Sequence, residues 1–187
     1  MSRMIVYLFL ASLSTAGRPV WAHGVWSDGF ASPGLSGPAK ALTVFDDGTG
    51  PALYVGGFIQ TAGGVSANKI AKWDGASWSA LGNGFDSEIL TMTVFDDGTG
   101  PALYAGGGFI FAGEGSANRI AKWNGSAWSA LDSGLNDEPR ALAVFDDGTG
   151  PALYAGGFFT TAGGSAANHI AKWNGSAWSA VGGGLDN

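Results

Sequence analysis

The chain has 187 residues, 45% of them hydrophobic and 33 of them glycine, and its net charge is −6. This hydrophobic content is enough for a packed core, while the lack of cysteine excludes disulfides, thiolate metal sites and a cysteine nucleophile. Because an acidic surface repels phosphate, we expect no nucleic-acid partner.

Residues 1–22 have the pattern of a secretory signal peptide. Arg3 precedes a run of apolar and small residues, 5–16, and small residues fit cleavage after Ala22 or, alternatively, after Ala16. The other interpretation is a buried strand or a short anchor, but the run is shorter than the roughly 20 residues that a membrane span needs. We therefore predict a protein that is secreted, extracellular or at the cell surface, with no membrane span in the mature chain.

Residues 23–38 form a leading segment before the repeated part of the chain. The stretch WSDGF, residues 26–30, resembles the fourth strand of the repeat described next, with Trp26 in the place of Trp78. In a closed propeller such a strand would complete the last blade.

Three copies of one 50-residue unit make up the rest of the chain. The stretch VFDDGTGPALY begins without a change at Val44, Val94 and Val144, and the flanking residues align without gaps. Tandem self-similarity at such a period is typical of repeat folds. We divide this part into residues 39–88, 89–138 and 139–187.

Each unit contains four short strand candidates bounded by turn residues. In the first unit they cover residues 41–46, 52–56, 69–73 and 78–81. No helix is predicted, because Gly, Asn, Asp and Ser interrupt every apolar run. The sequence thus predicts an all-β, propeller-type tandem repeat of three four-stranded antiparallel blades. We expect these blades to form an incomplete, open propeller.

Paired glycines and paired tryptophans recur at fixed places in every unit. The glycines are Gly56, Gly57, Gly106, Gly107, Gly156 and Gly157, and the tryptophans are Trp73, Trp78, Trp123, Trp128, Trp173 and Trp178. This order resembles the kelch repeat, although kelch repeats more often place tyrosine at the first aromatic. It is also similar to repeats of secreted bacterial propeller proteins and of a fungal cortical polarity marker. The resemblance implies a propeller in which these residues are structural.

The turn between the first two strands carries an acidic pair in each unit. These weak calcium candidates are Asp46, Asp47, Asp96, Asp97, Asp146 and Asp147. Calcium requires six to eight oxygen ligands, and the turn supplies no third acidic residue, so a hairpin turn is the favoured interpretation. We predict neither a metal nor a cofactor.

The six repeated tryptophans allow two interpretations. Exposed indole rings would stack on sugars, whereas buried ones would pack between blades and donate N–H to a neighbouring carbonyl, which repetition in every blade favours. Asn124 and Asn174 begin glycosylation sequons, but Asn-Gly is also a preferred hairpin turn.

Catalytic residues cannot be assigned, and we predict that the protein is not an enzyme. Its two histidines are His23, near the predicted cut, and His169, which takes the place of Lys69 and Arg119. Such a variable place is expected to be solvated. The copper site of the kelch-like galactose oxidase family requires a cysteine, which this chain lacks.

Three blades are fewer than the four to eight of a closed propeller. An open stack exposes apolar faces, so we predict self-association through them. Either the chain belongs to a longer array, which the leading strand favours, or two copies form a six-bladed ring.

The function expected from this architecture is a non-enzymatic scaffold that binds protein or surface partners through loops. The candidate loops are residues 58–68, 107–118 and 158–168, which vary more than the strands. The alternative is a carbohydrate-binding, lectin-like or carbohydrate-active propeller that uses Trp and Asp. A structural array without a ligand is a third candidate.

Overall fold

The structure is a computed structural model that describes residues 34–185. The predicted signal peptide, His23 and the strand expected at residues 26–30 lie outside this range. All regular structure between residues 34 and 185 is β-strand. The described part of the chain offers no helix long and apolar enough to cross a membrane.

Each unit contributes four strands to one sheet and two very short strands to a separate hairpin. The first unit contains β1 (Ala39–Asp46), β2 (Pro51–Gly57), β3 (Thr61–Ala62), β4 (Val65–Ser66), β5 (Ile70–Trp73) and β6 (Trp78–Ala80). The second contains β7 (Ile89–Asp96), β8 (Pro101–Gly107), β9 (Phe111–Ala112), β10 (Gly115–Ser116), β11 (Ile120–Trp123) and β12 (Trp128–Ala130). The third contains β13 (Pro139–Asp146), β14 (Pro151–Gly157), β15 (Thr161–Ala162), β16 (Ser165–Ala166), β17 (Ile170–Trp173) and β18 (Trp178–Ala180).

The main strands of each unit form an antiparallel meander. The orders are β1-β2-β5-β6, β7-β8-β11-β12 and β13-β14-β17-β18. The three sheets share no hydrogen-bonded strands, and none closes into a barrel. The described residues therefore form an open, propeller-like repeat of three blades, which confirms the predicted fold class.

The predicted strand positions agree with the structure except at their ends. The third strand begins at Ile70 and not at Lys69, because Lys69 has a left-handed backbone with φ 77°. The small hairpins β3-β4, β9-β10 and β15-β16 were not predicted, since two-residue strands have no periodicity that a sequence pattern could reveal.

The first strands β1, β7 and β13 lie next to one another, so the three sheets approach most closely at this inner edge. The fourth strand of each sheet is its outer edge. The β1-β2 and β5-β6 turns lie at one end of a sheet, which we call the turn end. The long loop between β2 and β5 and the connection to the next sheet lie at the other end, the loop end.

The two faces of each sheet have different neighbours. On the first sheet, Phe45 and Tyr54 lie on the side that packs against the following sheet, which we call the forward face. Leu42, Leu53 and Trp73 lie on the opposite side, the rear face.

The two largest cores lie between sheets and not within them. Forward residue Phe45 packs with rear residue Met92 of the second sheet. Forward residue Phe95 packs in the same way with rear residue Leu153 of the third sheet. Most of the apolar burial of a unit therefore depends on its neighbours.

Candidate interaction surface

The paired glycines that end the second strand make two separate contacts. A Cβ on Gly57 would lie 2.2 Å from the carbonyl oxygen of Pro38, which directly precedes β1 of the same sheet. A Cβ on Gly56 would lie 2.7 Å from Cγ2 of Ile89, which belongs to the following sheet. The second glycine is thus required by its own sheet and the first by the neighbouring sheet.

The other units repeat this division. A Cβ on Gly106 would lie 2.7 Å from Cγ of Pro139 in the third sheet. The nearest atom to a Cβ on Gly156 would be the carbonyl oxygen of His169 at 3.8 Å, because no described sheet follows the third one. The steric need for the first glycine of each pair thus depends on a following sheet.

The rings of the paired tryptophans contact each other at a tilt, and the second tryptophan of a pair connects neighbouring sheets. In the second sheet the ring centroids of Trp123 and Trp128 are 5.3 Å apart. Trp128 Nε1 donates to the carbonyl oxygen of Leu81 at 3.4 Å, and Trp178 Nε1 donates to that of Leu131 at 3.2 Å. Both acceptors lie in the preceding unit, which is the arrangement expected for tryptophans that pack between blades.

The acidic pair in the β1-β2 turn organises that turn. Asp46 Oδ1 accepts the backbone N–H groups of Gly48 and Gly50, each at 2.9 Å. Asp47 Oδ1 accepts the Thr49 hydroxyl at 2.6 Å. Gly48 and Gly50 have φ values of 95° and 107°, which explains the two glycines of the turn.

The second aspartate also reaches across the sheet to a tyrosine and a lysine. Asp47 Oδ2 accepts the Tyr54 hydroxyl at 2.8 Å and Lys72 Nζ at 2.6 Å. Lys72 also donates to Thr49 Oγ1 at 2.8 Å. We call this group, and its copies in the other units, the Asp-Thr-Tyr-Lys network. The copies comprise Asp97, Thr99, Tyr104 and Lys122, and Asp147, Thr149, Tyr154 and Lys172.

The network holds its acid ionised and its tyrosine neutral. Burial alone would raise the pKa of Asp97, but hydrogen bonds from Lys122, Thr99 and Tyr104 outweigh it and hold the pKa well below its usual value. Burial and the hydrogen bond to Asp97 raise the pKa of Tyr104 well above its usual value. The pKa values of Asp47 and Tyr54 move in the same directions.

The weak calcium candidates are thus placed in turns and networks. The cation that lies beside Asp47 is the ammonium group of Lys72, and Asp46 is directed at backbone N–H groups. Among residues 34–185, no three or more His, Asp or Glu side chains come together as a metal-ligand group. These contacts stabilise the β1-β2 hairpin and bind it to Lys72 of β5.

Two kinds of contact fix the variable loops at the loop end, a buried anchor residue and a capping side chain. A fully buried residue, Ile59, Phe109 or Phe159, anchors each loop. The connection before each sheet supplies a side chain that caps the loop backbone; Asp86 Oδ1, for example, accepts the N–H groups of Ile110 and Phe111 at 3.0 and 2.9 Å. Ser36 and Asn136 do the same in the other units.

Large apolar side chains on these anchored loops point outwards. Phe58 is 55% exposed, Phe111 is 50% exposed and Phe158 is 60% exposed. Ile110 and Val65 are also exposed. All five lie within the predicted binding loops, so the structure brings them to the loop end of the molecule. We call these residues the loop surface.

Cationic side chains lie at the base of the loop surface. Lys69 Nζ lies 4.2 Å from the ring centroid of Phe58, and the guanidinium of Arg140 lies 5.0 Å from that of Phe158. In the second unit Gly108 replaces the aromatic residue, and Arg119 donates instead to the Gly108 carbonyl.

The place shared by Lys69, Arg119 and His169 is not solvated, which corrects the expectation from its variability. Lys69 is buried, and the other two are half-buried. All three have left-handed backbones, and Nδ1 of His169 lies 3.1 Å from the carbonyl oxygen of Gly157.

The second candidate site is a groove that is lined by the connection after β6 and by the second unit. It has a volume of about 390 Å³, and Trp123 and Trp128 form part of its wall. Asn83, Glu114 and Ser126 supply polar groups to its lining. Trp123 is 7% exposed, and its indole nitrogen is buried without a hydrogen-bond partner. Glu114 has no counterpart in the other units, where glycine stands at the same place.

Comparison with known proteins adds no family to this description: no family model, no curated protein and no solved structure matches the chain.

Sequence reasoning missed the Asp-Thr-Tyr-Lys network and the outward phenylalanines. The signal for the network was present, because Asp47, Tyr54 and Lys72 recur in every unit. Tyr54 and Lys72 pair across β2 and β5, and Asp47 directly follows β1, so a fixed acid, phenol and amine at these places predicts such a contact. The exposure of the phenylalanines has no such signal. Phe58 and Ile59 are adjacent apolar residues, and nothing in the sequence indicates that Phe58 is exposed and Ile59 is buried.

Proposed function

We propose that this protein is a secreted, non-enzymatic, propeller-like scaffold that binds a protein or cell-surface partner through its loop surface. The observation that carries the proposal is that each loop exposes a phenylalanine, Phe58, Phe111 or Phe158, on a backbone that is anchored and capped. Large apolar residues exposed on a rigid base are typical of interaction sites.

A kelch-like identity fits this proposal, because the paired glycines and tryptophans occupy structural places in every unit. The resemblance supports a repeat that presents variable loops on constant sheets. Fold alone does not define a ligand, so the partner has to be sought through the loop residues.

Binding to the surface of cells of the producing organism tests the proposal. Fluorescently labelled chain is measured by flow cytometry beside a triple variant, Phe58→Ser, Phe111→Ser and Phe158→Ser. We expect the triple variant to lose most of the signal. A control with Ala80→Ser, Ala130→Ser and Ala180→Ser changes exposed positions on the outer strands and should bind like the unaltered chain. Equal binding of the triple variant and the control would refute the loop surface as the site.

Secretion is part of the proposal and has its own test. The pattern of residues 1–22 supports removal of a signal peptide. Expressed from its full sequence in a secreting host, the chain should be recovered from the medium with its N-terminus after Ala22 or Ala16. Recovery only inside the cell, with Met1 or Ser2 at the N-terminus, would contradict secretion.

A carbohydrate-binding function is the second candidate, and the groove beside Trp123 and Trp128 favours it. An indole wall with nearby carboxylate, amide and hydroxyl groups is suited to a sugar ring. Screening on a glycan array, followed by tryptophan fluorescence titration, tests it. Glu114→Ala should weaken binding of any sugar found, whereas Glu88→Ala, outside the groove, should not. Silence across the array leaves the scaffold proposal in place.

A further inference from the structure

The two interfaces within the chain follow one pattern, in which the forward face of a sheet packs on the rear face of the next. Forward residues Phe45 and Phe95 are each 4% exposed in these interfaces. Their counterpart Phe145, on the forward face of the third sheet, is 59% exposed. The third sheet thus presents an uncovered forward face among the described residues.

The first sheet presents the opposite surface. Its rear residue Leu42 is 62% exposed, whereas Met92, at the same place in the second sheet, is 9% exposed. Leu53 is half-buried, while Leu103 and Leu153 are fully buried. The described residues therefore end in two apolar faces of different kinds, one forward and one rear.

The interfaces inside the chain show how these two faces would fit together. At each interface a rear tryptophan donates its indole N–H to the carbonyl oxygen of a residue in the preceding unit, from Trp128 to Leu81 and from Trp178 to Leu131. The corresponding donor on the uncovered rear face is Trp78, and the corresponding carbonyl beside the uncovered forward face is that of Val181.

We propose that the forward face of the third sheet binds the rear face of the first sheet of a second copy of this chain. A second copy is the occupant because its first sheet carries the side chains that cover a forward face elsewhere in the molecule, with Leu42 for Met92 and Leu53 for Leu103. The contact is head to tail, since the two faces differ.

The connecting segments limit how closely the copies dock. Leu35 pairs with Ala62 in the first unit, as Phe85 pairs with Ala112 and Leu135 with Ala162. The repeat would pair Leu185 of the copy that contributes its third sheet with Ala62 of the other copy. That place is already taken by Leu35 of the other copy. The contact therefore forms through the sheets, and the segment after Val181 of the copy that contributes its third sheet is displaced.

Sedimentation velocity of the mature chain over a wide concentration range tests the proposal. We expect reversible association, either to a dimer, if two arcs close a ring of six sheets, or to a series of larger species, if the arcs add without closing. A monomer at every concentration overturns the proposal. Deletion of residues 185–187 should leave association unchanged or strengthen it, and a loss of association on this deletion also overturns the docking described above.

Two single variants test the polarity. Phe145→Glu and Leu42→Glu each place a charge in the contact and should weaken association roughly 100-fold or more. Phe111→Glu, at an exposed apolar position of the second unit, which contributes to neither end face, is the matched control and should not change it. Circular dichroism verifies that each variant is folded.

A mixture of the two variants decides between head-to-tail and like-to-like contacts. The intact forward face of Leu42→Glu can bind the intact rear face of Phe145→Glu, so the mixture should form a 1:1 complex although neither variant associates alone. If one variant alone associates as well as the unaltered chain, or if the mixture stays monomeric, the head-to-tail contact is wrong.

Discussion

The second and third sheets contain the same 13 residues from Phe95 to Gly107 and from Phe145 to Gly157, yet these residues have different surroundings. Phe95 is 4% exposed and Phe145 is 59% exposed. The backbone, the strand register and the hairpin turn are the same in both. The comparison shows that local sequence determines the strand, while the neighbouring sheet determines whether a side chain belongs to a core.

The Asp-Thr-Tyr-Lys network shows the same contrast. The Asp97 side chain is 6% exposed, whereas that of Asp147 is 37% exposed, although both accept a lysine and a tyrosine hydroxyl. A Cβ on Gly175 of the third sheet would lie 2.8 Å from the carbonyl oxygen of Asp97, so a turn of the next sheet covers that site. No described turn covers Asp147. The network in the third sheet is therefore a matched control for its copy in the second.

The largest expected difference between the two sheets is at the phenylalanine pair. Phe95→Ala should lower the free energy of unfolding by about 3 to 5 kcal/mol, because it leaves a cavity in the core between the second and third sheets. Phe145→Ala should change it by no more than about 0.5 kcal/mol in dilute solution, where the side chain contacts water. Urea unfolding followed by tryptophan fluorescence measures both. Equal losses for the two variants would mean that the forward face of the third sheet is covered.

The aspartate pair should show the next largest difference. Asp97→Ala leaves Lys122 and Tyr104 without their buried acceptor, and we expect a loss of about 2 to 3 kcal/mol. Asp147→Ala removes the same hydrogen bonds at a more exposed place and should cost clearly less, because water can replace the lost acceptor. The measurement is again the urea midpoint, with Glu114→Ala as a surface-charge control. A cost that is the same in both sheets would show that burial does not set the strength of the network.

The first glycine of each pair gives a smaller difference. Gly106→Ala places a Cβ against the Pro139 ring and should cost about 1 to 2 kcal/mol, since the next sheet must shift. Gly156→Ala meets no atom closer than 3.8 Å and should be tolerated. Thermal unfolding by circular dichroism compares the two. The second glycines, Gly107 and Gly157, should both be intolerant of substitution, because a Cβ would lie 2.1 to 2.2 Å from the backbone carbonyl oxygen of the residue just before the first strand of the same sheet.

The fold could be predicted from the sequence because its main signals are local or strictly repeated. Short apolar runs gave the strands, and turn residues such as Asp46 and Gly48 gave their ends and the hairpins. The repeat then fixed three equal sheets. The paired glycines also indicated close approach, but only the structure shows that Gly56 meets the neighbouring sheet while Gly57 meets the residue before β1 of its own sheet.

The candidate site was less predictable because it depends on contacts between distant residues. Asp47 and Lys72 are 25 residues apart and meet only because β2 and β5 pair in register. Lys69 was expected to be solvated, but its left-handed backbone turns the side chain onto Phe58. Loop residues such as Phe58 and Ile59 have the same chemistry in the sequence, and only the packing distinguishes the anchor from the exposed partner.

The pH dependence of stability should give the smallest difference between the two sheets. Because folding lowers the pKa of Asp97, this carboxylate contributes stability above its unfolded pKa of about 4, and the contribution is lost as the pH falls towards the folded pKa. The loss should amount to about 1 kcal/mol between pH 5 and pH 3. Asp97→Asn should remove this part of the acid dependence and flatten the curve of urea midpoint against pH. Asp147→Asn should flatten it as well, since hydrogen bonds from Lys172, Thr149 and Tyr154 lower the pKa of Asp147 in the same direction.

High salt should separate the two copies of the network. It should weaken the attraction between Asp147 and Lys172 more than the attraction between Asp97 and Lys122, because solvent ions screen the exposed pair more effectively than the covered pair. If high salt abolished the effect of Asp97→Asn on the acid dependence, as we expect it to do for Asp147→Asn, the neighbouring turn would not shield the network.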